Sequence, residues 1–198
     1  MTEPQAERHN FDPHLMELVA SGYFDQFTQP ITSRVDEQTS INQFAETITD
    51  RFENLFVIGR IQPLHRGHIH LINHALAIAS SITIGIGSAN VINRDNPFSA
   101  EHREHMLKRA LQAEGLESRV RKIVRINGYE DDTMWFNEML RRIGEIDGVV
   151  GNNDWVNNLF REAGYRTLEI PLFKRSRLSG TTIREDFLYA KGVVQIPQ

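Results

Sequence analysis

The sequence predicts an α/β domain built on a mostly parallel sheet. From Leu55 onward, short apolar runs alternate with longer segments of helical periodicity. The first two runs close on glycine, as buried strands do where they turn into loops. The intervening segments are long enough to be crossover helices, which parallel pairing requires.

Residues 1–52 have a different texture. Leu15, Leu18, Val19, Phe24 and Phe27, then Val35, Ile41, Phe44 and Ile48, are scattered, with some at helical spacing. One or two short helices separated near Pro30 are expected, as an arm packed on the main domain or on a neighbouring subunit. No catalytic pattern occurs in it. The division is therefore an N-terminal helical extension, 1–52, and a main domain, 53–198.

In the main domain, Leu55-Phe56-Val57-Ile58 reads as the first strand, ending at Gly59, and His68 to Ser80 as the first helix. Ile82 to Ile86 is the second strand, followed by Gly87-Ser88. Ser99 to Ala113 is a helix with Ser99 as N-cap, although His102 stands where a capping box usually has Glu or Gln. Val120 to Ile126 is the third strand, Asp132 to Ile143 a helix and Gly148 to Gly151 the fourth strand. Asp154 to Ala163 is a helix, Thr167 to Ile170 the fifth strand and Thr181 to Lys191 the last helix. Ligands of such sheets bind beyond the carboxyl ends of the strands.

Composition narrows the chemistry. The absence of cysteine excludes disulfides, thiolate zinc sites, iron–sulfur clusters and a cysteine nucleophile. It fits a reducing, cytoplasmic setting. The formal net charge of −4 argues against a nucleic-acid partner held through its phosphates. The polar N-terminus has no apolar signal region, and no apolar stretch is long enough to span a membrane.

Two segments carry the chemistry. Gly59-Arg60-Ile61-Gln62-Pro63-Leu64-His65-Arg66-Gly67-His68 joins the first strand to the first helix. Its two imidazoles, three residues apart at a helix start, lie on one side, and free helix N–H groups favour an anion there. Gly67 lets the backbone approach that ligand. A metal site at His65 and His68 would need a third ligand, and His70 and His74 point away from the strand ends. The second segment, Lys174-Arg175-Ser176-Arg177-Leu178-Ser179-Gly180-Thr181-Thr182-Ile183-Arg184, again places hydroxyls, helix N–H groups and guanidinium groups together. Two such helix starts on one sheet suggest a single polyphosphate between them.

These residues resemble the nucleotidyltransferase superfamily with an HxGH motif, and within it the archaeal-type nicotinamide mononucleotide (NMN) adenylyltransferases. The resemblance covers roughly residues 54–188. It includes Gly85-Ile86-Gly87-Ser88-Ala89, Asn96-Pro97-Phe98-Ser99-Ala100-Glu101-His102-Arg103 and Ser179-Gly180-Thr181-Thr182-Ile183-Arg184, in order. Ile61 and Leu64 replace the family's usual aromatics, and His102 stands where Glu is common.

The resemblance implies a Rossmann-like parallel sheet of about five strands with helices on both faces. It also implies attack of the NMN phosphate on the α-phosphorus of ATP, giving NAD and pyrophosphate, with Mg2+ accompanying ATP and no named protein ligand for the metal. His65, His68 and Arg184 are the expected catalytic residues. Gly59, Arg60, Gly67, Asn152, Asn153, Ser179, Gly180 and Thr181 join them around ATP. Ser88, Asn96, Phe98, Arg103 and Trp135 are expected around NMN, with Trp135 stacking on the nicotinamide. A core role for Trp135 stands beside that reading, and Trp155 reads as simply buried. A homo-oligomer is expected. The competing functions are a related adenylyl- or cytidylyltransferase with another phosphate acceptor, and a non-catalytic ATP- or NAD-binding regulator.

Overall fold

The computed structural model describes residues 13–30, 33–170 and 179–194. Lys174, Arg175 and Arg177 of the second basic segment lie outside the described residues.

Five parallel strands form the sheet: β1 (Phe52–Gly59), β2 (Ala79–Ile86), β3 (Val120–Arg125), β4 (Gly148–Val150) and β5 (Arg166–Leu168). Their spatial order is β3-β2-β1-β4-β5. The central strand is apolar on both faces because both are covered. Leu55 and Val57 face one layer with Ile82, Ile84 and Ile86, while Phe56 faces the other with Val149. Gly85 is glycine for the sake of Phe56: a Cβ there would stand 2.7 Å from the phenyl ring.

Helices α3 (Arg66–Ile78) and α4 (Ala100–Ala113) follow β1 and β2, and bury Ile69, Ile72, Leu76, Met106 and Leu107 on the first face. Helices α5 (Asp132–Ile143) and α6 (Asp154–Glu162) follow β3 and β4, and bury Trp135, Met139, Val156 and Phe160 on the second. The strand ends shift by up to three residues from the pattern-based reading. The last helix differs in kind: a short α7 (Gly180–Thr182) widens into π-helical turns over Ile183–Tyr189. Apolar periodicity carries no signal for that change of ladder.

Ser99 caps α4, and the capping box is closed by an imidazole. The backbone N–H of His102 donates to Ser99 Oγ at 3.2 Å, and the Ser99 N–H donates to His102 Nδ1 at 3.3 Å. A ring nitrogen three residues on does what a carboxylate usually does there.

The N-terminal arm comprises α1 (Pro13–Ala20), a 3-10 turn (Tyr23–Phe27) and α2 (Arg34–Thr47). Its Leu15, Val19, Phe24, Phe27 and Phe44 belong to the same apolar cluster as the first face of the sheet. Phe24 meets Phe98 edge to face, with ring centroids 5.1 Å apart. Polar ties add direction: Arg109 pairs with Asp25 at 2.8 Å, and the buried Arg66 pairs with Glu37 of α2 and with Glu114.

The arm is therefore expected to be part of the folding unit. Phe24→Ala, at a position 2% exposed, should cost about 3 kcal/mol. Deleting residues 1–50 should lower the melting temperature or solubility sharply by uncovering the α3–α4 face. Urea unfolding of the first variant and thermal melting of the second check this; a truncation as stable as the whole chain would contradict it.

Candidate nucleotide site

The site lies where the loop after β1 enters α3. His65 is the N-cap of α3, and its Nδ1 accepts from the Gly67 N–H at 3.2 Å. His68 Nδ1 accepts from the His65 N–H at 3.3 Å. Both δ nitrogens thus act as acceptors, so each neutral ring carries its proton on Nε2. The ring centroids are 3.9 Å apart. Burial, helped by the neighbouring His68, lowers the His65 pKa from 6.5 to about 2, and burial lowers that of His68 to about 4. At neutral pH the pair is two oriented N–H donors with no charge of its own. Gly59 backs onto them; a Cβ there would sit 3.4 Å from His68 Cδ2.

Gln62 joins three segments that are remote in sequence. Its side-chain amide donates to Phe98 O at 2.9 Å and accepts from the Phe98 N–H at 3.0 Å. Its own carbonyl accepts from Arg184 Nη1 at 2.7 Å. A Cβ on Gly180 would fall 2.6 Å from that carbonyl, so glycine is what lets the Ser179-Gly180-Thr181 turn close against the β1 loop. Ser179 caps α7 by accepting from the Thr182 N–H at 3.1 Å. The two helix starts expected from the sequence are thus side by side. The sequence singled out Gly180 and Arg184 as site residues, whereas Gln62 stood in the first motif without a role of its own.

Arg184 is 2% exposed. Besides Gln62 O, its Nη2 lies 3.3 Å from Asp95 Oδ1 and from Thr181 Oγ1, while its buried Nε has no hydrogen-bond partner among the described residues. That donor capacity fits an anion. Arg60 is exposed beside the same loop.

Several expected roles change. Arg103 is fully buried and donates to the carbonyls of Arg60, Gly87, Ser88 and Ser99 at 2.6–3.2 Å. Burial, with Arg125 and Arg60 nearby, lowers its pKa only to about 10, so it stays charged. Its guanidinium holds the loops after β1 and β2 together. Phe98 is also fully buried, against Phe24 of the arm, on the opposite face of the sheet from Trp135. The two rings therefore do not line one slot. Trp135 is 5% exposed and lies in the second core cluster, while Trp155 is 44% exposed, which corrects the expectation that Trp155 is buried.

The remaining candidates keep a polar face. Ser88 adopts φ 48° at the end of β2, an uncommon conformation for a residue other than glycine. Asn96 is buried, and its Oδ1 has no hydrogen-bond partner among the described residues. Asn153 caps α6, and Asn152 ties to Ile170 through both ends of its amide. Among the described residues no group of three or more His, Cys, Asp and Glu is placed to hold a metal ion. No helix among them is long and apolar enough to cross a membrane.

A cytidylyltransferase-like family model matches residues 56–186. The chain belongs to this cytidylyltransferase-like family. It is 35% identical to a nicotinamide-nucleotide adenylyltransferase of Thermococcus onnurineus over 129 residues, 65% of this chain and 68% of that one. It is 34% identical to the enzyme of the same name from Pyrobaculum aerophilum over 129 residues, 64% of this chain and 72% of that one. A solved structure of a bifunctional NMN adenylyltransferase/ADP ribose pyrophosphatase from Francisella tularensis, complexed with AMP and a Mn ion, superposes with TM-score 0.62 at 27% identity. The match covers 73% of this chain and 43% of that one, so this chain spans less than half the length of the bifunctional protein. The arm lies ahead of the residues that match the cytidylyltransferase-like family.

Two outcomes follow from this geometry. The unfolded chain protonates its histidines near pH 6.5, whereas the folded pair resists protonation. Stability should therefore be fully present above pH 6.5 and lost as the pH falls toward 4. His68→Gln keeps an acceptor at N3 and removes one titrating ring, so its melting temperature should fall less over that interval than the wild type's. Gln62→Ala strands the buried N–H and C=O of Phe98, and should cost about 2–4 kcal/mol in chemical unfolding. Parallel pH profiles in the first case, or unchanged stability in the second, would contradict the assignments.

Proposed function

We propose that the chain transfers the adenylyl group of ATP to the phosphate of NMN, releasing pyrophosphate and forming NAD. The observation that carries this reading is the junction at Gln62, which holds the His65–His68 turn and the Ser179–Arg184 turn together as one anion site. The names of the archaeal relatives supply the acceptor.

The chemistry asks little of the protein beyond placement. An NMN phosphate oxygen is already anionic; it forms the new bond to the α-phosphorus as the bond from that phosphorus to the bridging oxygen of pyrophosphate breaks. No protein nucleophile is required, and the rate enhancement comes from in-line positioning and stabilisation of developing charge. In this reading the Nε2–H groups of His65 and His68 donate to phosphate oxygens of ATP, with His68 at the transferred phosphoryl. Gly59 and Gly67 let the backbone come close. Arg60, Arg184 and the Ser179-Gly180-Thr181 turn hold the β- and γ-phosphates, stabilising the leaving group. Asn152 and Asn153 stand beyond β4 for the adenosine, and Ser88 and Asn96 beyond β2 for the acceptor. Mg2+ would enter with ATP and neutralise triphosphate charge; the described residues offer it no cage of their own.

Pyrophosphate release from ATP and Mg2+ should depend on NMN, with FMN and phosphopantetheine failing to replace it. His68→Ala should lower turnover about a hundredfold or more while the fold persists, since it removes a preorganised donor at the reacting phosphate. Steady-state assay with circular dichroism checks both. Release without NMN, or near-normal turnover in the variant, would overturn the assignment.

A further inference from the structure

On the adenylyl-transfer reading above, we propose that Asp95 takes the place of a phosphate oxygen on Arg184 and yields it when a polyphosphate binds, so that this one carboxylate sets how tightly the site holds ATP and how readily it lets pyrophosphate go.

Arg184 and Asp95 stand 89 residues apart in sequence, and their side chains are unequal partners. The guanidinium side chain is 3% exposed and the carboxylate side chain 67%. Arg184 Nη1 donates to the Gln62 carbonyl at 2.7 Å, so the cation is fixed at the junction. The carboxylate meets Nη2 at 3.3 Å, which is long for a charge-assisted hydrogen bond. A loose contact to a mostly exposed carboxylate is exchanged at small cost, because water takes up the charge as it leaves. Arg184 has no such outlet: a buried guanidinium left without a counter-charge is costly. The pair is thus a cation that needs an anion and a carboxylate that does not need the cation.

The backbone around Asp95 is pinned from both sides. Asn93 Oδ1 accepts from the N–H groups of Asp95 and Asn96 at 3.0 and 2.9 Å. Arg94 pairs with Glu185 at 2.6 Å, and the Tyr189 hydroxyl donates to the Arg94 carbonyl. Glu185 and Tyr189 belong to the π-helical turns that carry Arg184. Loop and helix form one unit, so the exchange asks for rotation of the Asp95 side chain rather than movement of the loop. Glu185, next to Arg184 in the chain, is taken by Arg94; among the described residues Asp95 is the carboxylate paired with Arg184.

A phosphate oxygen and the Asp95 carboxylate compete for one donor fork, and side by side they repel. An internal competitor weakens every anion that uses that cation. ATP and pyrophosphate would both use it, and binding energy common to the two does not speed transfer. Held too tightly, pyrophosphate would leave slowly and limit turnover. Asp95 removes part of that shared attraction.

Calorimetric titration with inorganic pyrophosphate and with ATP, each with Mg2+ and without acceptor, tests this in the wild type, Asp95→Asn and Asp186→Asn. Asp95→Asn should bind both anions about tenfold more tightly, and pyrophosphate should become about tenfold stronger as an inhibitor of NMN-dependent turnover. Asp186→Asn removes an equal charge from an exposed position in the same helical turns, and should change either affinity by less than about twofold. In an Arg184→Gln background, Asp95→Asn should gain about twofold or less, since the contested cation is gone. A merely structural Asp95 would loosen anion binding and lower the melting temperature in Asp95→Asn, which would overturn the proposal. So would unchanged affinities, or an equal gain in Asp186→Asn. Because the titrations contain no acceptor, a wild type that binds both anions yet releases no pyrophosphate with NMN would sink the adenylyl-transfer reading alone. One that binds neither anion would overturn the anion site and this inference with it.

Discussion

Everything at the nucleotide site depends on the amide of Gln62. Three polypeptide segments separated by dozens of residues must meet there, and each arrives with buried backbone groups that need partners. The side chain satisfies both backbone groups of Phe98, and the carbonyl satisfies one arm of Arg184. A single residue therefore fixes the spacing between the first helix start, the loop after β2 and the final helical turn. Arg103 repeats the logic from below: one charged fork gathers four carbonyls from the loops after β1 and β2 and from the start of α4. Its charge has no carboxylate among these partners, and the carbonyl dipoles take that part.

The arm bears on the same turn from outside. Arg66 stands between the two site histidines, and its side chain is held by Glu37, the Thr28 carbonyl and Glu114. Burial opposes its charge, yet hydrogen bonds with the two carboxylates raise its pKa above the usual arginine value. A buried pair of this kind contributes less to net stability than to geometry, because desolvation consumes most of the attraction. Its value here is orientational: Arg66 is clamped toward the arm, and the rings on either side of it lie against each other. The Phe24–Phe98 contact acts likewise on the loop that Gln62 grips.

The sheet was legible in the sequence because its strands are buried on both faces and its helices on one, and those two patterns have different periods. The two helix starts proposed to hold the anion were legible for a related reason: glycine, imidazole and hydroxyl groups at a helix start have few other uses in combination. What escaped was the identity of the partners. Arg103 in sequence is a cation in a motif; only the fold shows that carbonyls have already taken its donors. Trp135 and Trp155 look alike as letters. The helix phase of α5 turns the first into the core, and the position of the second on the opening turn of α6 leaves it outside. Gln62 stood in the first motif with no visible role, and Glu37 in no pattern, since their partners lie 36 and 29 residues away.

The neutrality of the histidine pair is what reconciles burial with phosphate chemistry. Two imidazolium ions with centroids 3.9 Å apart would repel each other and would be costly to desolvate, so the folded chain keeps both neutral. They can still donate, because their acceptor nitrogens are occupied by the backbone of their own helix start. The same fastening holds them neutral: a second proton on either ring would have to go on Nδ1, against the backbone N–H it accepts from. On the proposed reading the triphosphate is therefore met by two fixed N–H donors, and the positive charge of the site comes from its arginines.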